Sequence, residues 1–142
     1  MQRILIVLAA LTAAACAPVP LTPQEMAQKK AEPVPGKAVV YIVQNQQRDY
    51  GAGVRLDDGT QITTWPGTFY RWVTTPGAHR IVSADPNLSA RVTLQVEAGR
   101  VYFVQHKVTG IRGSTTDATL HTVSERTGRE LLAIARPCCD VR

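Results

Sequence analysis

From Lys37 to Val123 the chain is a succession of short segments in which apolar and polar residues alternate, cut at regular intervals by turn-forming residues. The clearest is "ARVTLQVEA" (90–98), where Val92, Leu94 and Val96 fall on one side and Arg91, Thr93, Gln95 and Glu97 on the other. A period of two belongs to a strand with one buried face. "KAVVYIVQ" (37–44) is dense in β-branched residues, "RVYFVQHKV" (100–108) and "ATLHTV" (118–123) follow the same habit, and "TFYRWVTT" and "AHRIVSA" lie between them. The punctuation has a mechanism. Asp57-Asp58-Gly59 between "GVRL" and "TQITTW" is a hairpin signal. Pro66-Gly67 and Pro76-Gly77 each suit a type II turn, proline fixing φ and glycine taking the positive φ. Strands at spacings of about 8 to 14 residues, with no βαβ rhythm and no repeat, predict a mainly β chain, an antiparallel β-sandwich of about 7–8 short strands. One short C-terminal helix is predicted over "SERTGRELLAIA" (124–135). Thr127 and Glu130 fit a capping box, Leu131, Ile134 and Ala135 can share a face, Gly128 weakens the helix and Pro137 ends it.

The amino terminus has a different texture. Arg3 is followed by the apolar run Ile4 to Leu11 and small residues to Ala15, then Cys16. A run of roughly a dozen residues is too short to span a bilayer, which needs about 20, and matches the apolar region of a secretory signal. Two readings follow: release of a soluble product at an A-x-A site, or processing at Cys16. The thiol of Cys16 has no core to fill and is the nucleophile that lipid transfer requires. The expectation is therefore a lipoprotein signal peptide over 1–15 and an acylated Cys16, with more than one acyl chain giving stable attachment where one alone is marginal. Ala17, rather than Asp, after the cysteine points to the outer membrane if sorting follows enteric rules. Residues 16–36 hold Pro18, Pro20, Pro23, Pro33 and Pro35 and read as a proline-rich tether, residues 37–136 as the domain and 137–142 as a C-terminal tail.

The whole chain carries 16 Lys+Arg and 11 Asp+Glu, net +5; loss of Arg3 with the signal leaves +4. The positive charges are dispersed rather than clustered, which disfavours nucleic acid as a partner. With Cys16 committed to lipid, Cys138 and Cys139 remain. Neighbouring Cα atoms lie about 3.8 Å apart, closer than the roughly 4.4–6.8 Å of a relaxed disulfide. The options are a strained vicinal disulfide, an intermolecular bridge, or free thiols on a tail without catalytic duty.

Together "AVVYIV", "DDGTQI", "VTTPGAHRIV", "LQVEAGRVYFV" and "HTVSERTGRELLAI" resemble, in their order, small bacterial envelope lipoproteins carrying an uncharacterised PEGA-like β-sandwich domain. The resemblance covers about residues 37–135. It implies a sandwich fold and an anchored, periplasm-facing location, and lends no activity. Where the family's first strand often leads into an Arg, this chain reads Val43-Gln44-Asn45, so no role tied to that Arg carries over.

Chemistry-bearing residues are sparse. "WPGTFYRW" (65–72) concentrates aromatic residues at a turn, and Trp65, Tyr70 and Trp72 are the candidates for stacking on a glycan; the competing reading puts one face of this segment in the core. His79, His106 and His121 fall on predicted strands, the last two on one hairpin, without the ligand spacing of a metal site. Ser83, Ser89, Ser114 and Ser124 lie in no nucleophile elbow. "GIRGST" lacks the lysine of a phosphate loop, and Asp57-Asp58 sit on a turn that favours Asp for local bonding. The expectation is a non-enzymatic module without cofactor or metal. Its partners would be the membrane through its lipid and either another envelope protein or cell-wall glycan.

Overall fold

A computed structural model describes residues 19–45, 51–111 and 114–139. Cys16, the expected lipid anchor, lies outside the described residues. In chain order the elements are α1 (Pro23–Lys29), β1 (Ala38–Gln44), β2 (Ala52–Leu56), β3 (Gln61–Thr64), β4 (Thr68–Thr74), β5 (Gly77–Ser83), β6 (Arg91–Val96), β7 (Val101–Ile111), β8 (Ser114–Val123), α2 (Glu125–Ile134) and β9 (Arg136–Pro137). They form two sheets, β8-β7-β1-β4-β9 and β3-β2-β5-β6. The expected β-sandwich with a C-terminal helix is the observed architecture. Most pairings are antiparallel, but β1 runs parallel to β7 and β4 parallel to β9.

The burial of β1 explains its composition. All seven of its residues are buried, because β1 is central in the five-stranded sheet and covered on both faces. Ala38, Val40 and Ile42 face the other sheet with Val54, Ile62, Trp72, Ile81, Leu94 and Val104. Val39, Tyr41 and Val43 face a second core made with Phe69, Phe103, Leu131, Leu132 and Ala31. A strand covered on both faces reads as a continuous apolar run rather than an alternation. The four-stranded sheet keeps its outer face in solvent, so β6 alternates as predicted, with Leu94 and Val96 buried and Arg91, Thr93 and Gln95 exposed. The turns also follow their sequence. Gly59 (φ 90°) and Gly67 (φ 72°) take the positive φ that the hairpin and the Pro-Gly turn require, and Thr68 N closes the latter on the Trp65 carbonyl at 3.0 Å.

The second core depends on a glycine inside a helix. A Cβ at Gly128 would fall within the Phe103 ring, so α2 reaches the sheet only because this position has no side chain. Gly128→Ala is expected to destabilise the fold by about 2 kcal/mol. Overpacking costs about 3 kcal/mol, and alanine's better helix propensity offsets about 1 kcal/mol of it. Thermal unfolding followed by circular dichroism measures the difference; an unchanged or raised midpoint would contradict this packing. The N-cap differs from the sequence expectation. Ser124, in extended conformation, accepts the Thr127 N–H at 3.2 Å. Thr127 therefore lies in the first turn, and Glu130 pairs instead with Arg126 at 3.2 Å. Leu131 and Ala135 are buried as expected, but Ile134 is exposed and Leu132 takes its place in the core.

The expected tether is largely part of the domain. Thr22-Pro23-Gln24-Glu25 forms a full capping box, with Thr22 N–H donating to Glu25 Oε2 at 2.7 Å and Glu25 N–H to Thr22 Oγ1 at 3.2 Å. The helix α1 that follows is fastened at several points. Tyr41 Oη donates to the Gln28 carbonyl at 2.5 Å, Lys29 Nζ to the Ala133 carbonyl at 2.8 Å and Arg129 Nη1 to the Lys30 carbonyl at 3.1 Å. Ala31 is buried in the second core, and Arg136 donates to the Val19 carbonyl. Pro20, Pro23, Pro33 and Pro35 do not keep the described part of the segment extended, because its contacts are made by carbonyls and by side chains, which proline leaves available.

The carboxyl end is docked as well. Arg136 N donates to the Gly67 carbonyl and Cys138 N to the Phe69 carbonyl, at 2.8 and 2.9 Å. The structure brings the sulfurs of Cys138 and Cys139 together as in the first of the three options, a vicinal pair, and Cys139 packs against the core between the sheets. The free tail expected from residue 137 is thus replaced by an ordered edge as far as Cys139.

Candidate functional site

The aromatic turn is divided by the pleat of β4. Trp72 is 4% exposed in the core between the sheets, its Nε1–H donates to Asp58 Oδ2 at 2.9 Å, and its ring meets His79 edge-on with centroids 5.1 Å apart. Tyr70 is half-buried against the same core. Trp65, outside the strand, is 51% exposed and lies over Gly51, where a Cβ would come within 2.9 Å of its indole. Trp65, Tyr70 and Trp72, the candidates for stacking, do not form one platform, and Trp72 follows the competing reading that puts one face of this segment in the core. Alternation sends Trp72 inward, and only Trp65 offers an open ring face.

The histidines are also separated. His79 Nδ1 lies 3.0 Å from Asp57 Oδ2, and its Nε2 faces the Thr75 carbonyl at 2.7 Å. Asp57 further accepts the Arg80 backbone N–H at 3.1 Å. An aspartate–histidine pair acts as a general base only when the second nitrogen is open to a substrate; here a carbonyl occupies it, and the pair clasps the β2–β3 turn to β5. Burial opposes the charge of the neighbouring Asp58, but hydrogen bonds from Thr60 and Trp72 outweigh it and hold the pKa below the ordinary aspartate value. His106 and His121 do sit on the paired strands β7 and β8. His106 stands opposite Leu120 and His121 opposite Gln105, so the pleat directs them to opposite faces. His121 Nε2 meets Gln105 Oε1 at 3.0 Å, and Gln105 Nε2 donates to Asn45 Oδ1 at 2.8 Å. His106 is fully buried, its Nδ1 2.9 Å from Thr64 Oγ1, which donates to Gln44 Oε1 at 2.6 Å. Among the described residues no group of His, Cys, Asp and Glu could hold a metal ion.

The outer face of the four-stranded sheet collects what the sequence leaves dispersed. Arg55 of β2 stands opposite Val82 of β5, and Val82 opposite Arg91 of β6. Arg80 is one pleat further on, opposite Thr93. All three arginines are exposed. Among the described residues their guanidinium groups meet no carboxylate, whereas Arg100, Arg126 and Arg129 are each paired with a glutamate. The nearest acid on this face, Asp57, is engaged by His79. An open cleft of about 400 Å³ lies beside Arg55 and Arg80, lined also by Leu56, Asp57, Gly59 and Val82. Planar forks of this kind bind carboxylate and phosphate with two parallel hydrogen bonds. The residues sit 25 and 11 positions apart in sequence, and strand order, not local pattern, makes them neighbours. The only signal in the sequence was their placement on polar positions of three alternating segments.

Fold and surface define a mainly β, two-sheet module with a helical layer over one sheet and a cationic outer face on the other. No protein-family model matches the chain, and no curated protein is significantly similar to it.

Proposed function

We propose that the protein is an envelope lipoprotein anchored through Cys16 that works without catalysis, as an interaction module presenting Arg55, Arg80 and Arg91 to an acidic partner in the bacterial envelope. The observation that carries the reading is the row of unpaired guanidiniums on an otherwise uncommitted sheet face. Exposed arginines that meet no carboxylate among the described residues, with Asp57 engaged by His79, leave their donors to water, and a partner bearing carboxylate or phosphate replaces that water with charge-assisted bonds. The anchor rests on the arrangement of Arg3, the apolar run to Leu11, and Ala13–Ala15 before Cys16. Among the described residues no helix is long and apolar enough to cross a membrane. A periplasm-facing position on the outer membrane belongs to the same proposal. Binding of cell-wall glycan is a second reading, resting on the exposed ring of Trp65 beside the turn.

Crosslinking in native membranes, followed by identification of what is bound, tests this. The wild type is expected to yield a defined partner with an acidic surface, and the triple variant Arg55→Ser, Arg80→Ser, Arg91→Ser to lose at least tenfold of it while folding normally. Equal recovery by the variant would overturn the arginine face as the binding surface. Retention on purified cell wall, lost on Trp65→Ala, would favour the glycan reading. Cys16→Ser is expected to abolish acyl labelling; a labelled variant would refute the anchor.

A further inference from the structure

We propose that the face formed by α1 and the carboxyl end of α2 lies on the surface of the lipid bilayer, so that the domain is seated on its membrane rather than held away from it. The inference rests on acylation of Cys16 as proposed above, and concerns what that anchor does to the orientation of the domain.

Three observations meet at this face. The first is the length of chain between lipid and domain. Val19 is already fixed through its carbonyl to the Arg136 guanidinium, and only Ala17 and Pro18 separate it from Cys16. Three Cα steps span at most roughly 11 Å. Once Cys16 is acylated, some part of the domain surface around Val19 must therefore lie within about that distance of the headgroups.

The second is the character of that surface. Five large apolar side chains are exposed among the described residues, and three of them, Val19 (74%), Met26 (50%) and Ile134 (74%), belong to this region. The hydrogen bonds draw them together. Lys29 Nζ reaches the Ala133 carbonyl, next to Ile134. Met26 precedes Lys29 by three residues on α1 and so shares its side of the helix. Arg136 joins Val19 from β9. A soluble surface has no use for three large apolar groups at the point where the chain departs, whereas the boundary between headgroups and acyl chains accepts them to a depth of about 5–10 Å.

The third is the surrounding charge. Lys29 and Arg136 border the patch through their bonds to the Ala133 and Val19 carbonyls, Lys30 follows Lys29 in the chain, and Glu25 and Glu32 of the same segment offset part of this charge. The remaining charges of α2 pair with one another, Arg126 with Glu130 and Arg129 with Glu125. Long basic side chains can lay their stems on apolar surface and keep the head among phosphates. The near balance of charge makes apolar seating beside the acyl chains the main cause, with attraction to anionic lipid secondary. Because α2 covers one side of the sandwich and the arginines occupy the outer side of the other sheet, this seating turns Arg55, Arg80 and Arg91 away from the membrane that holds the lipid.

The test uses the mature, acylated full chain in vesicles of phosphatidylethanolamine and phosphatidylglycerol. Spin labels are attached to Ile134→Cys, to Met26→Cys and, on the arginine face, to Thr93→Cys. The ratio of collisions with oxygen to collisions with a water-soluble nickel chelate is then measured. We expect this ratio to be at least threefold higher at 134 and 26 than at 93, and to fall to the value at 93 when vesicles are replaced by a detergent-free acyl-binding carrier. Three equal, water-like ratios on a chain whose mass includes its acyl groups would overturn the seating and leave the anchor intact. A chain that carries no acyl mass would overturn the anchor, and this inference with it. Two labelled positions guard against failure of one variant to fold.

Discussion

Trp72→Ala is expected to lower the unfolding free energy by about 4 kcal/mol, while Trp65→Ala changes it by less than about 1 kcal/mol. The two tryptophans stand seven positions apart at one turn, and the difference is one of environment. Trp72 is buried between the sheets, packs edge-on against His79 and satisfies Asp58 with its indole N–H. Truncation leaves a cavity among residues that cannot collapse, since β1 is held from both sides, and takes from Asp58 one of the donors that stabilise its charge. Trp65 lies over Gly51 and is 51% exposed, so its truncation opens no closed cavity. Urea unfolding of the two variants, followed by circular dichroism, separates them. Similar losses in both would mean that the aromatic turn packs as a unit and that Trp65 is not free to bind.

Acid is expected to destabilise the fold through His106. Burial without a compensating charge lowers the pKa of this imidazole from 6.5 to about 4. In the unfolded chain the ring takes up a proton as pH falls through about 6.5, while the native ring stays neutral until about 4. Between these values unfolding binds a proton, so stability rises with pH. The contribution is complete above pH 6.5, declines as pH falls across the window and is lost below about 4. A difference of that size corresponds to about 3 kcal/mol. Thr64 Oγ1 holds Nδ1, and among the described residues Nε2 has no hydrogen-bond partner. With the Thr64 hydroxyl proton directed to Gln44, Nδ1 carries the hydrogen and Nε2 is left as a bare acceptor in the core. His106→Gln keeps a polar group opposite Thr64 without a titrating proton. Denaturant midpoints between pH 7 and 4 should fall less steeply in this variant than in the wild type. Parallel profiles would assign the acid sensitivity to carboxylates instead.

The strands were legible because their cause is local. Alternation in residues 90–98, the continuous apolar run of β1 and the Asp-Gly and Pro-Gly turns each act within a few residues, and each leads to the element observed. Even Gly128, which reads as a weakness in a helix, marks the position where α2 touches Phe103. The segment 19–36 was less legible because proline content argues against helix while Thr22-Pro23-Gln24-Glu25 argues for one, and docking partners more than a hundred residues away decide the contest. The helix start shifts from Thr127 to Ser124 for a smaller reason: both hydroxyls can cap, and the chain leaves β8 at Ser124.

The sequence by itself determined the strand content, the places where the chain reverses, the helical segment after Val123 and the pattern around Cys16 on which an anchored location is proposed, since all of these follow from properties of neighbouring residues. Only the tertiary structure decided that Trp72 is core and Trp65 surface, that Arg55, Arg80 and Arg91 share one face, that His106 and His121 part company, and that the residues after Val19 belong to the domain. These depend on strand order, pleat and register, which bring distant residues together through the burial of β1 from both sides, and no local pattern encodes which faces will meet.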